Sequence, residues 1–186
     1  MTKQSFLIAL TLFVFSLASK ATESNAYLGI EFGKSTFEID SSKAVVDGYL
    51  DGDSIASSVI AGYRWSNNIV VEASYIYSAN NLFGGITDFS KAYEAKAMAG
   101  YTIDINRYLK LTPLIGLSSW ELKVKEGILL NPGPEQSAKY SGTDITYKLA
   151  LDYIVTDSFI VSLSYGQTNL DIGSSSSAQF GAKYEF

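Results

Sequence analysis

Read by twos, the chain separates into apolar and polar faces. Ala178, Phe180, Ala182, Tyr184 and Phe186 share one face of the C-terminal stretch, and Gln179, Gly181, Lys183 and Glu185 share the other. Period-2 alternation marks a strand with one greasy side. The same pattern recurs at Leu28–Gly33, Ser58–Trp65, Ile69–Tyr77, Tyr93–Tyr101, Leu109–Ser118, Ile145–Tyr153 and Phe159–Gly166. The fourth stretch is rich in alanine and would also suit a helix, and Pro113 in the fifth predicts a bulge or an edge, because proline cannot donate to a ladder. Eight strands of ~9–11 residues match the length that crosses a bilayer at a tilt.

The connections predict the topology. SNN (66–68), DINR (104–107) and VTDS (155–158) read as tight turns. The other four, roughly 34–57, 78–91, 119–143 and 167–176, read as longer loops. Ser174–Ser177 either begin the last strand or cap the fourth loop. Short turns on one rim and long loops on the other are the habit of outer-membrane barrels. The expected fold is therefore all-β: an eight-stranded antiparallel up-and-down transmembrane β-barrel, with both termini on the short-turn side.

Which face meets lipid follows from volume. An eight-stranded interior is only just wide enough for side chains to fill. The apolar faces carry Trp65 and most of the 13 tyrosines, which would overfill it. The opposite faces are rich in Gly and Ser, which suit a narrow lumen. They also hold every charge of the strand segments: Glu31, Glu72, Glu94, Asp152 and Glu185 against Arg64, Lys96, Lys110, Lys148 and Lys183. A charge on the lipid face would cost ~2–4 kcal/mol at midplane, so the apolar face points outward. The balanced interior set is expected to form structural ion pairs, a gated ion path being the alternative. Tyr63, Trp65, Tyr101, Tyr108, Tyr153, Phe159, Tyr184 and Phe186 fall near the short turns, and Tyr75, Tyr77, Tyr93, Tyr147 and Tyr165 toward the long loops. These are the two expected aromatic girdles.

The N-terminus adds an address. Lys3 precedes a twelve-residue apolar run, FLIALTLFVFSL (6–17), followed by small residues. This is the plan of a secretory signal peptide, and it is too short to span a bilayer, which takes ~20 residues. Residues 1–21 are assigned to the signal, with cleavage after Ala18 or Ala26 as alternatives, and 22–186 to the barrel. Loss of Lys3 and Lys20 leaves 12 basic and 19 acidic residues, a net charge of −7. That argues against nucleic acid as a partner.

The stretches AGYRWSNNIVVEASYIY (61–77), LTPLIGL (111–117) and the terminal QFGAKYEF together resemble the small OmpA-like outer-membrane β-barrel proteins of Gram-negative bacteria. The resemblance covers the whole mature chain. It implies outer-membrane localisation after export through the periplasm, contact with outer-membrane lipid and lipopolysaccharide, and a last strand that closes on the first. Gln179, Gly181, Tyr184 and Phe186 fit the family's C-terminal insertion signal, which implies recognition by the barrel-assembly machinery. Only the barrel is covered, so cell-wall anchoring is not expected.

Composition then narrows function. The chain has no histidine and no cysteine, which removes Ser-His and Cys-His nucleophile pairs. No catalytic site, cofactor or metal is assigned. Asp51-Gly-Asp53 hints at calcium but completes no ligand loop. The expected role is structural or adhesive, as a monomer whose long loops meet a host or environmental ligand. The acidic segment 38–54 and the segment 123–142, with apolar Ile128, Leu129 and Leu130, are the candidate binding loops. A small low-conductance channel is the alternative reading, and an outer-membrane enzyme a remote one.

Overall fold

The computed structural model describes residues 25–40, 52–79, 91–125 and 137–186. Its strands are β1 (Asn25–Ile39), β2 (Gly52–Arg64), β3 (Ile69–Ala79), β4 (Lys91–Tyr101), β5 (Ile103–Asp104), β6 (Leu109–Lys125), β7 (Ser137–Ile154), β8 (Phe159–Leu170) and β9 (Gly173–Glu185). Each pairs antiparallel with its neighbour, and β1 pairs with β9 from Tyr27↔Glu185 to Ile39↔Gly173. The sheet therefore closes. β5 continues β4, so the wall holds eight strands in all. Gly100 faces Leu114 and Ile103 faces Leu111, which is one unbroken register. The ladder is interrupted between them because Pro113 has no N–H. The expected bulge is absent. Pro113 keeps its partner Leu149 on the β7 side, and Thr102 donates its N–H to the Asn68 carbonyl at 2.8 Å instead.

The register also sets the tilt. A path perpendicular to the strands runs from Ala26 through Tyr63, Val71, Ala99, Ile115, Tyr147, Gln167 and Ser176. It returns to β1 at Thr36, ten residues above its start. A stagger of that size requires strands inclined ~40° to the barrel axis. The incline decides which residues from distant strands meet in the lumen.

Alternation holds all the way round. Ile30, Phe32, Val59, Ile115, Leu117, Leu163 and Phe180 are at least half exposed, while Glu31, Ser58, Ser118, Ser162 and Gln179 are buried. The apolar ring thus lies outside and the polar one inside. Outward aromatics pair at both ends: Tyr63 with Trp65 at 4.8 Å and Tyr184 with Phe186 at 5.2 Å near the short turns, and Tyr77 with Tyr93 at 5.3 Å toward the loops. The short turns fall where expected. At 66–69, Asn68 adopts a left-handed conformation (φ 66°), which asparagine tolerates better than most residues.

The upper rim departs from expectation. The β1–β2 ladder continues to Phe37↔Gly52 and the β6–β7 ladder to Lys125↔Ser137. Much of the segments 34–57 and 119–143 is therefore strand. The expected fourth long loop, 167–176, is absent: β8 and β9 meet at a turn of Asp171 and Ile172, and Ser174–Ser177 belong to β9. Above the girdle the outward side chains need not be apolar, so hydrophobic alternation fades while the backbone ladder persists. The expected signal segment (1–21), Asp47, Asp51 and Ile128–Leu130 lie outside the described residues.

Candidate functional site: the charge-paired lumen

The strand pattern aims one residue in two at the barrel axis, and the stagger then brings distant strands together. Lys148 of β7 is nine-tenths buried between two carboxylates: its Nζ lies 3.0 Å from Glu31 Oε2 of β1 and 2.9 Å from Glu72 Oε1 of β3. Ser164 donates to Glu31 at 3.2 Å, and the Tyr27 hydroxyl donates to Glu72 Oε2 at 2.8 Å. Each carboxylate thus has a hydroxyl donor besides the shared ammonium, which such buried groups require.

Three further pairs line the same interior. Glu94 takes Lys96 of its own strand at 3.0 Å, along with the hydroxyls of Ser118, Thr168 and Ser175. Lys183 holds both oxygens of Asp152 at 2.8 and 3.0 Å, and Ser162 donates to Asp152 at 2.7 Å. Arg64 meets Glu185 more loosely at 3.5 Å, leaving Arg64 Nε, Arg64 Nη1 and Glu185 Oε1 without hydrogen-bond partners. Lys110 is the register partner of Asp152, but its ion pair is with the half-exposed Asp104 at 3.9 Å.

Two apolar layers interleave with the charges, and the Arg64–Glu185 pair lies beyond the lower one at the short-turn end. Tyr27, Ile60, Val70, Met98 and Leu114 pack together toward the short turns. Phe37, Ala92, Trp120, Leu122 and Leu170 form a second layer toward the loops. Trp120 is anchored by a 2.6 Å hydrogen bond from its Nε1 to Asp144. Between the layers, a cavity of about 10 Å³ touches Glu31, Ser58, Lys96, Lys148 and Gln179. That is about the space of one water molecule. Side chains therefore occupy the described lumen around this small cavity.

The inward aromatics Tyr27, Phe37 and Trp120 were not expected inside the barrel. Tyr27 shares parity with Gly29 and Glu31, which was the available signal. Glycines opposite them make the room. Gly62 faces Tyr27, and a Cβ there would overlap the Tyr27 ring. Gly142 faces Trp120, where a Cβ would lie 2.9 Å from the indole.

Outside the lumen, Asp53 is engaged by Lys34 Nζ at 2.6 Å and the Thr36 hydroxyl at 2.8 Å. These contacts, Lys34 first, lower its carboxyl below the usual range. No cluster of metal-ligating residues occurs among the described residues. On the outer wall above the girdle, Glu121 sits between Lys139 at 2.9 Å and Lys123 at 3.1 Å. Those hydrogen bonds hold its carboxyl down at about 2.

Comparisons with known proteins agree with this geometry. The family model described as "Outer membrane protein beta-barrel domain" matches residues 6–186. The chain is similar in fold to Ail, the attachment invasion locus protein of Yersinia pestis, at 20% identity and TM-score 0.65, covering 89% of this chain and 100% of that one. Ail in complex with the heparin analogue sucrose octasulfate gives 22% identity and TM-score 0.62, at 89% and 100% coverage. Neisserial surface protein A gives 16% identity and TM-score 0.68, covering 87% and 97%. A comparison with curated protein sequences found no match.

Proposed function

We propose, on the premise that this chain belongs to the outer membrane protein beta-barrel domain family, that the barrel is an anchor and its loop rim binds a surface ligand. The observation that carries this reading is the filled lumen. Charge pairs and two apolar layers occupy the axis, so the described interior offers neither a conduit nor a substrate chamber. What remains for function is the rim, and rigid scaffolds commonly carry function on their loops. The rim is built to project. The 17 residues of β6 extend roughly 55 Å along the strand, or about 40 Å of height at a ~40° tilt, against an apolar band of ~25 Å. The similar fold of Ail, whose name is that of an attachment protein, makes adhesion the first role to test.

The interior pairs then serve stability rather than transport. A barrel cannot leave Glu31, Glu72, Glu94 or Asp152 charged in a low-dielectric core without partners. With no histidine or cysteine, the chain is not read as an enzyme. Export begins with the signal segment. Cleavage after Ala18 or Ala21 leaves β1 whole, whereas cleavage after Ala26 would remove the carbonyl that accepts the Phe186 N–H at 2.9 Å. Gln179 and Gly181 face inward and Tyr184 and Phe186 outward, the last two more than half exposed. That leaves both aromatics accessible to the barrel-assembly machinery.

The test replaces residues 41–51, 80–90 and 126–136 with short turns and measures adhesion of cells displaying each variant. Loss of adhesion, with heat-modifiable gel migration retained, supports the reading. Full adhesion by the triple replacement contradicts it. Steady conductance steps from the intact barrel in planar bilayers would favour the channel instead.

A further inference from the structure

Two features of the outer wall stand apart from the lumen. The first is a row of lysines. Lys91 of β4 pairs in register with Lys123 of β6, and Lys123 with Lys139 of β7. All three are exposed on the outward face. Like charges directly opposite one another are destabilising, and Glu121 is the acid that offsets them. Lys91 makes no ion pair among the described residues. The patch carries a net charge of +2 on a chain whose own net charge is −5. It sits just above the girdle, where Lys123 Nζ lies 5.8 Å over the Tyr93 ring. By contrast, Lys34 on the β1–β2 rim is matched by Asp53 at 2.6 Å, and the exposed Glu38 and Asp40 add only negative charge there.

The second feature is a depression below the row. Ala61, Ala73 and Ala97 are register partners across β2, β3 and β4, and Leu28 and Leu117 close the two ends of the row. The three alanines and Leu117, with Val71, Ala99 and Ile115, line an apolar groove of about 480 Å³ on the lipid-facing wall. Ala97 lies six residues down β4 from Lys91, and Leu117 six down β6 from Lys123. That is roughly 20 Å along the strands and, at a ~40° tilt, about 15–20 Å of depth. A lipid whose head group reaches the lysines would lay a chain into the groove.

We propose that the Lys91–Lys123–Lys139 row and the alanine groove beneath it form a site for a phosphorylated, multiply acylated lipid of the outer leaflet, of the lipopolysaccharide kind. The lysines engage the phosphates and the groove takes an acyl chain. This rests on the outer-membrane reading above and gives its lipid partner a place. Charge complementarity selects the occupant. An apolar groove alone would accept any chain, but three ammonium groups at head-group height select for phosphate.

The test uses the mature barrel in nanodiscs of zwitterionic lipid. Binding of lipid A, of lipid A stripped of its phosphates, and of phosphatidylglycerol is read by native mass spectrometry. The wild type should retain lipid A about tenfold better than the stripped form. The variant Lys91→Gln/Lys123→Gln/Lys139→Gln should lose that preference, and Lys34→Gln should keep it. Ala73→Phe/Ala97→Phe should weaken binding with the preference intact. Equal retention of both lipid A forms by the wild type, equal retention of phosphatidylglycerol and lipid A, or an unchanged preference in the triple lysine variant would overturn the site. Unchanged binding by the groove variant would overturn the groove's part in it. Heat-modifiable migration of every variant separates these outcomes from failure of the membrane reading. That failure would appear as protein soluble without detergent, and it would overturn the site with it.

Discussion

Two three-residue charge clusters in this barrel are mirror images. In the lumen, one ammonium, Lys148, stands between two carboxylates, Glu31 and Glu72. On the rim, one carboxylate, Glu121, stands between two ammonium groups, Lys123 and Lys139. The distances are nearly the same, 2.9–3.0 Å inside and 2.9–3.1 Å outside. The consequences differ because the solvent differs. Inside, the space beside Glu31 and Lys148 is only about that of one water molecule, so each group depends largely on the others. Outside, water and ions screen the charges, and such contacts contribute little to stability. The rim cluster is therefore free to exchange partners with a ligand, and the lumen cluster is not.

The largest expected effect comes from breaking the inner cluster. Lys148→Met leaves Glu31 and Glu72 facing each other without a counter-charge, at a cost of about 3–5 kcal/mol, measured by urea unfolding in micelles. The triple variant Glu31→Gln/Glu72→Gln/Lys148→Met removes all three charges and should recover most of that loss. Failure to recover would mean that the cluster contributes more than charge balance.

A smaller effect is expected from the hydroxyl that supports the cluster. Tyr27→Phe leaves Glu72 Oε2 without its donor, a loss of about 1–3 kcal/mol by the same unfolding measurement. Gly62→Val drives a side chain into the space of the Tyr27 ring. It should destabilise the wild type more than a Tyr27→Ala background, and a double-mutant cycle would sharpen that coupling.

The smallest effect on stability belongs to the rim. The Glu121 carboxyl titrates at about 2, against 4.5 for the free group. A carboxyl lowered by folding contributes stability that is complete above the unfolded value and is lost as pH falls through the folded one. The Glu121 contribution should therefore persist at pH 5 and disappear between about 4.5 and 2. Glu121→Gln should flatten that part of the pH profile and change little at neutral pH. Because it frees both lysines, the same substitution should tighten binding of lipid A.

How much of this could be read from the sequence depends on the range of each contact. The alternating faces of all eight strands were legible, because side-chain direction in a strand depends only on parity. The Glu94–Lys96 contact was nearly legible, since both residues share one face of one strand. The Glu31–Lys148 contact spans 117 positions and follows from barrel closure and a ten-residue stagger, neither of which parity reveals. Tyr27 was missed because the alternation of the first strand is clear only from Leu28 on, and Trp120 because it falls in the segment 119–143, which reads as a loop. Only the register shows that Gly62 and Gly142 stand opposite them. The turn at Asp171 and Ile172 was read as a long loop because polar residues on both faces above the membrane erase the hydrophobic period.

The apolar face meets lipid while the charged face is packed within. The chain has no cysteine, so single spin labels can be placed without background. A scan of β2 in lipid bilayers, at Ser58→Cys, Val59→Cys, Ile60→Cys and Ala61→Cys, measures collision with dissolved oxygen at each position. High oxygen access is expected at 59 and 61, and restricted, immobilised labels at 58 and 60. High access at the even positions with restriction at 59 and 61, or no alternation at all, would contradict that orientation.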